Sequence, residues 1–361
     1  MAGRLADLAH PDLPERLAAL AALHARTSAV PRRGTDLLLR TDHSFSPYHS
    51  ASEAVWEARQ AGLEAVGVAD LLSTGGHGEF TAACHVVGLP AVLGLELAAS
   101  AEPNGRLRLL ALAITRPGDA AAQAALARLR GVHEERCRAL TVKVGERFRA
   151  TVGAAGPSWR DISGLTPLGN VGERHVAWAA LERIRAVAVE RSMPAADAWQ
   201  RVIGQPPVGG DREQFQAVLD RLFQPGGPCH IAEPAAALPT LAEAIAICQG
   251  LGAVPTAIVP GPTPSGLHAW CDRLEAAGIR ALAVLPARSR EDLVASVVAE
   301  ARRRGWPAID GSALDEPVLA PLATRWGLDE RFRPAFRAGA QAMLDHQSAA
   351  AGHHAHSATK V

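Results

Sequence analysis

The residues able to do chemistry stand at the ends of apolar runs. The run DLLLR (Asp36–Arg40) leads to Asp42 and His43, AVGVA (Ala65–Ala69) leads to Asp70, and Ala91–Leu97 carries Glu96 near its end. Asp310 and Asp315 flank a last short run at Pro307–Ile309, and His175 sits in NVGERHVAW near the start of a helical stretch. Carboxylates and imidazoles are the donors of divalent-metal sites and the usual proton-transfer groups. Each acid alone has an ordinary explanation, because an Asp after a strand commonly caps the next helix. Their recurrence after successive strands points instead to one shared site. Other chemistries find no pattern: there is no phosphate-binding P-loop, no GxSxG nucleophile elbow and no HExxH. GGHGEF is glycine-rich but is not GxGxxG and does not directly follow a strand.

The elements that must position these residues follow a repeating order. Leu17, Leu20 and Leu23 give Pro14–Ala25 a helical face. Strands are predicted at Asp36–Arg40, Ala65–Ala69, Ala91–Leu97 and Leu107–Ile114, with a helix from a Ser52 cap to about Gly62 and another ending near Gly88. Strand, loop and helix in turn predict parallel strands with crossover helices. From about Gly118 to Gln224 the pattern is helical, which reads as an insertion. Helices at Pro239–Leu251, Ser265–Ala277 and Glu291–Arg304 then alternate with strands at Ala253–Val259, Arg280–Leu285 and Pro307–Ile309. The expected organisation is a helical extension over 1–35, a barrel domain over 36–345 with its insertion at 118–225, and a disordered, low-complexity tail over 346–361.

The chain has 361 residues, 48% hydrophobic and 20% charged, enough to bury a sizeable core. Lys+Arg and Asp+Glu are both 37, which argues against a nucleic-acid partner. No apolar run is long enough to predict a membrane span, and the N-terminus carries acids early, unlike a secretory signal; a cytoplasmic location is the expectation. Five cysteines without a CxxC pair predict buried thiols, not a disulfide framework. Lys143 and Lys360 are the only lysines, so nearly every cation is a forked, permanently charged guanidinium.

The stretch LLLRTDHSFSPYHSASEAVWEARQAGLEAVGVADLLSTGGHGEF resembles the opening of the PHP (polymerase and histidinol phosphatase) superfamily. That opening runs strand, HxH, Ser-rich loop, helix ending AGL, strand ending Asp-His, and Gly-containing loop. GLEL resembles the family's Gly-x-Glu motif, and NVGERHVAWAAL resembles a helix of one bacterial subgroup that carries a ligand histidine. GAVPTAIV, IRALAVLPARSREDL and IDGSALDEP resemble the remaining strand ends in order, over roughly residues 36 to 345. The resemblance implies an α/β fold, a distorted (β/α)7 TIM-like barrel with a helical insertion. It also implies phosphoesterase chemistry on up to three divalent metals.

The departures lie at the ligand positions. The resemblance puts Arg40 and Asp42 where the HxH histidines stand, Leu71 in place of the histidine after Asp70, and Arg108 and Leu109 where the next strand supplies one. Ala313 and Asp315 fall on the Asp-x-His pair, while Asp70, Glu96 and His175 are kept. The metal candidates are therefore Asp42, Asp70, Glu96, His175 and Asp315, and the candidates for a catalytic role are Arg40 and His175.

A guanidinium at position 40 can bridge two carboxylates and would oppose a metal. Two unit charges at ~4 Å interact by about 4 kcal/mol at an effective dielectric of ~20. The leading expectation is a PHP-like protein whose multinuclear site is largely lost and which binds a small phosphorylated molecule or a protein partner of unstated kind. The alternative is a hydrolase with a reduced, carboxylate-rich site: one Mg²⁺ or Mn²⁺, its bound water as nucleophile, and Arg40 clamping phosphate. The cofactor expectation is accordingly none, or one divalent metal. His43 and His49 are possible relocated ligands, whereas His77 and His133 read as ordinary helix or loop histidines.

Overall fold

The computed structural model describes residues 5–358 except 29, 33, 101–104, 167–168, 235–237, 261–265, 286–290 and 312–330, with side chains up to residue 350. Its centre is a seven-stranded sheet in sequential order. The first half runs α1 (Leu13–Arg26), β1 (Thr35–Leu39), α2 (Ala51–Gln60), β2 (Ala65–Leu71), α3 (His77–Val87), β3 (Ala91–Ala99) and β4 (Leu107–Leu112). A helical block follows: α4 (Ala120–Val152), α5 (Trp159–Gly164), α6 (Glu173–Glu190), α7 (Ala195–Ile203) and α8 (Asp211–Val218). The chain then returns to α9 (Leu241–Gly250), β5 (Val254–Ile258), α10 (Leu267–Ala276), β6 (Leu282–Val284), α11 (Glu291–Arg304), β7 (Ala308–Asp310) and α12 (Arg333–Ala358).

Every residue of β1 is buried, as expected of a strand covered on both faces. β1, β2 and β3 pair in parallel, as do β5, β6 and β7. β4 is the exception to the parallel expectation, being antiparallel to both β3 and β5. The link from Ala99 to Leu107 is too short for the dozen or more residues that a parallel crossover needs. Across the seam between the two edge strands, Thr35 Oγ1 donates to Asp310 Oδ1 at 2.6 Å, which nearly closes the sheet into a TIM-like barrel. Gly311 lies on that seam: a Cβ there would fall 2.1 Å from Leu38 Cδ1 and 2.6 Å from its Cβ.

Two local expectations change. Ser50, not Ser52, caps α2, accepting from Glu53 N, while Ser52 Oγ donates to Glu79 at 2.7 Å. The tail expected to be disordered continues α12 to Ala358; its run of alanines is strongly helix-forming. The helical block has its own core, built on Phe148, Ile184, Trp199, Phe215 and Phe223, which Phe45 joins from the loop after β1. Burial of one such ring is worth about 1.5–3 kcal/mol, so Phe45 pins the block over the barrel mouth. All five cysteines are buried and free, and burial raises their thiols. Among the described residues, no helix is long and apolar enough to cross a membrane.

Candidate functional site

The register of β2 and β3 sets Leu71 opposite Glu96, and the strand ends open into a cavity of about 320 Å³ under the helical block. Its described lining carries five arginines (Arg40, Arg106, Arg108, Arg136, Arg174) against three glutamates (Glu96, Glu173, Glu233). Glu96 is held from two sides. Arg40 Nη2 donates to its Oε2, and Arg108 Nε donates to Oε1 at 2.7 Å. Arg40 and Glu96 are 5% and 7% exposed, so this clasp is largely out of water. Farther out, Arg136 Nη2 meets Glu173 at 2.6 Å and Arg106 Nη1 meets Glu233 at 3.0 Å. Phe45, Leu71 and Leu219 give the cavity its apolar surface.

Asp70 ends beside Glu96 but is satisfied differently. Fully buried, it accepts from Thr41 N at 2.8 Å, Thr41 Oγ1 at 2.6 Å and Ser44 Oγ at 2.6 Å. These neutral donors fold the loop after β1 around the carboxylate and keep it from capping α3. Leu72 follows in the left-handed region (φ 53°), held by its N–H on Glu96 O and by Arg130 on its own carbonyl, both at 2.8 Å. Such a conformation costs a branched residue about 1–3 kcal/mol and marks a turn over-determined by its surroundings. Gly169 reinforces the loop, since a Cβ there would lie 2.1 Å from His43 O.

His175 is the N3 residue of α6, and its Nδ1 accepts from Gly172 N at 2.9 Å. The ring proton of the neutral imidazole therefore sits on Nε2. Burial pushes this imidazole down to about 4, and the nearby Arg40 charge acts in the same direction. Phe45 packs against it edge-on, with centroids 5.0 Å apart.

Asp42 lies elsewhere. It lines a second cavity, of about 500 Å³, that shares the Phe45–His175 wall with the first. Its Oδ1 is buried without a hydrogen-bond partner. Burial pushes its carboxyl up to about 6; the charges of Glu79 and Asp70 add to this and His43 opposes it. Asp315 lies outside the described residues. Asp310 sits at the barrel seam, where burial raises its carboxyl well above the usual range against the Thr35 hydrogen bond. His43 Nδ1 is buried without a partner and faces Gly75, His49 pairs with Glu53 at an exposed position, and His77 Nε2 bonds Gly94 O at 2.9 Å.

The described donors do not suit a divalent ion in this arrangement. Both Glu96 oxygens face guanidiniums, Asp70 has three donors, and the His175 Nδ1 lone pair is used. Among the described residues, no group of three or more His, Cys, Asp or Glu side chains is placed to hold a metal. Sequence reasoning did not identify the arginine wall or His133, which lines the cavity and whose imidazole burial pushes down against the Glu233 charge. A signal was present: Arg106 and Arg108 are two apart at a strand, and His133 and Arg136 are three apart on a helix.

No protein-family model matches the chain, and no curated protein matches it. Among solved structures it is similar to a candidate metal-dependent phosphoesterase from Bifidobacterium adolescentis, at 22% identity and a TM-score of 0.59, covering 78% of this chain and 88% of that one. It is also similar to an amidohydrolase from Chromobacterium violaceum, solved with bound sulfate and no metal, at 21% identity and a TM-score of 0.58, covering 80% and 93%. At these identities the likeness is one of fold alone, a TIM-like barrel.

Proposed function

We propose that the chain is a PHP-type barrel that binds a small phosphorylated molecule in the arginine-lined cavity, with an internal ion-pair cluster standing where the family holds metals. The observation that carries this is the clasp of Arg40 and Arg108 on Glu96. A carboxylate at a family ligand position is thereby neutralised by residues of the chain itself. Among the described lining residues, guanidiniums outnumber carboxylates five to three. A phosphomonoester, at about −1.5 to −2 near neutral pH, complements that excess. Arg106 and Arg136, already forked toward carboxylates, offer the planar donors that phosphate oxygens accept. His133 and the cavity's side-chain amides add neutral hydrogen-bonding groups.

The test is a pair of measurements on untagged protein with alanine at His353, His354 and His356, so that the tail cannot scavenge metal. Elemental analysis should find substoichiometric metal, and calorimetry should find saturable inorganic phosphate binding that Arg136→Ala weakens. Stoichiometric Mg or Mn that disappears in Asp70→Ala or Glu96→Ala, with phosphate-ester hydrolysis in added Mn²⁺, would establish the mononuclear hydrolase instead.

A further inference from the structure

The second cavity is chemically the reverse of the first. Its walls include the rings of Phe45, Tyr48 and Trp178 with Pro47 and Leu165, and Asp42 is the acid among its described lining residues. We propose that this cavity is a separate binding site for an organic ammonium ion carried on an apolar or aromatic body.

Three observations support it. First, one Asp42 oxygen, Oδ1, has no hydrogen-bond partner, and among the charges acting on the carboxyl His43 favours its ionised form while Glu79 and Asp70 oppose it. The nearby Arg16 is committed to Glu79 (Nε to Oε1 at 2.9 Å) and to the Pro11 carbonyl (2.9 Å). A buried carboxylate without a partner favours any cation that can reach it. Second, the rings are held in place before a ligand arrives. Phe45 stacks on Phe215 at 5.5 Å with planes 4° apart, and Trp178 packs on the same Phe215 at 6.0 Å. Aromatic walls beside a carboxylate suit an alkylammonium group, attracting its charge and covering its apolar body. Third, the cavity of about 500 Å³ is within the range of small-molecule sites. An anion is disfavoured here by Asp42, as a cation is disfavoured by the arginine excess across the wall.

The experiment is a fluorine NMR titration of the full chain with para-fluorobenzylammonium, using para-fluorobenzyl alcohol as the neutral control. The expected result is saturable ammonium binding, roughly tenfold tighter than the alcohol, the factor of about one charge-assisted contact. Asp42→Asn should remove that difference, and Trp178→Leu should weaken both probes. Sulfate, which the arginine cavity would take, should not displace the ammonium. Equal binding of the two probes, unchanged ammonium binding in Asp42→Asn, displacement by sulfate, or no saturable binding would each overturn the proposal. If Asp42→Asn does not fold, the ammonium-to-alcohol ratio in the unaltered protein still decides.

Discussion

Among the described residues, guanidiniums outnumber carboxylates five to three on one side of the Phe45–His175 wall, and one carboxylate stands among aromatic rings on the other. Both cavities belong to a chain whose formal net charge is zero. In the first, each glutamate among the described lining residues is engaged by a guanidinium. In the second, the nearby arginine is engaged elsewhere and the acid keeps an orphaned oxygen. The difference shows that pairing, more than composition, decides what each cavity can bind. The same contrast can be broken by changing one residue at a time.

The largest effect should come from the clasp. Glu96→Ala leaves Arg40 and Arg108 without their shared carboxylate and should cost about 3–5 kcal/mol in urea unfolding. Arg40→Ala should cost less, about 1.5–3 kcal/mol, because Arg108 still meets the other Glu96 oxygen. Arg108 stands at a ligand position in the sequence, but its contact with the same carboxylate as Arg40 is visible only in the fold. An Arg40→Ala loss equal to that of Glu96→Ala would mean the clasp is not shared.

The wall itself should be acid-sensitive. His175 has a folded pKa pushed down to about 4 by burial, below the ~6.5 of an unfolded histidine. Its stability contribution is fully present above pH ~6.5 and is lost as pH falls toward about 4, because the unfolded chain takes up the proton first. The loss should reach about 3 kcal/mol near pH 4. His175→Gln should flatten this slope over that window, read as unfolding free energy against pH. An unchanged slope would place the acid sensitivity elsewhere.

A third prediction separates the cavities by ligand. Arg136→Ala should weaken inorganic phosphate binding by about ten- to a hundredfold, the range for a charge-assisted hydrogen bond, and leave para-fluorobenzylammonium affinity unchanged. A parallel loss of both affinities would show that the two cavities act as one.

How much of this was legible from residues alone follows from distance along the chain. The strands were readable because buried strands are short apolar runs, and the helical block was readable from its periodicity. The direction of β4 was not, since an apolar run carries no sign of its orientation; only the short link hints at it. Asp70 and Glu96 were readable as strand-end acids, but their different partners were not. Thr41 and Ser44 are ordinary loop residues until the chain curls over Asp70. The outer arginine wall depends on pairs 37 and 127 residues apart, Arg136 with Glu173 and Arg106 with Glu233. Asp42 was placed with the other acids by position, yet its side chain belongs to the neighbouring cavity.

Asp42 also supplies the smallest expected effect, with the opposite sign to His175. Burial raises its carboxyl from the ordinary value to about 6. A raised folded pKa gives stability that is full below the unfolded value, near pH ~3.9, and is lost as pH rises through about 6. At pH 8 the ionised Asp42 therefore opposes folding, and Asp42→Asn should stabilise the protein. The gain should be about 1 kcal/mol, reduced from the full linkage value because the side chain is partly exposed to solvent. It should shrink toward zero by pH ~4, where the native carboxyl is already protonated. Saturating para-fluorobenzylammonium should stabilise the unaltered protein at pH 8 and not the Asp42→Asn variant, since a bound cation relieves the same charge. If Asp42→Asn is neutral or destabilising at pH 8, the carboxylate already has a partner, and the asymmetry between the two cavities is smaller than their linings indicate.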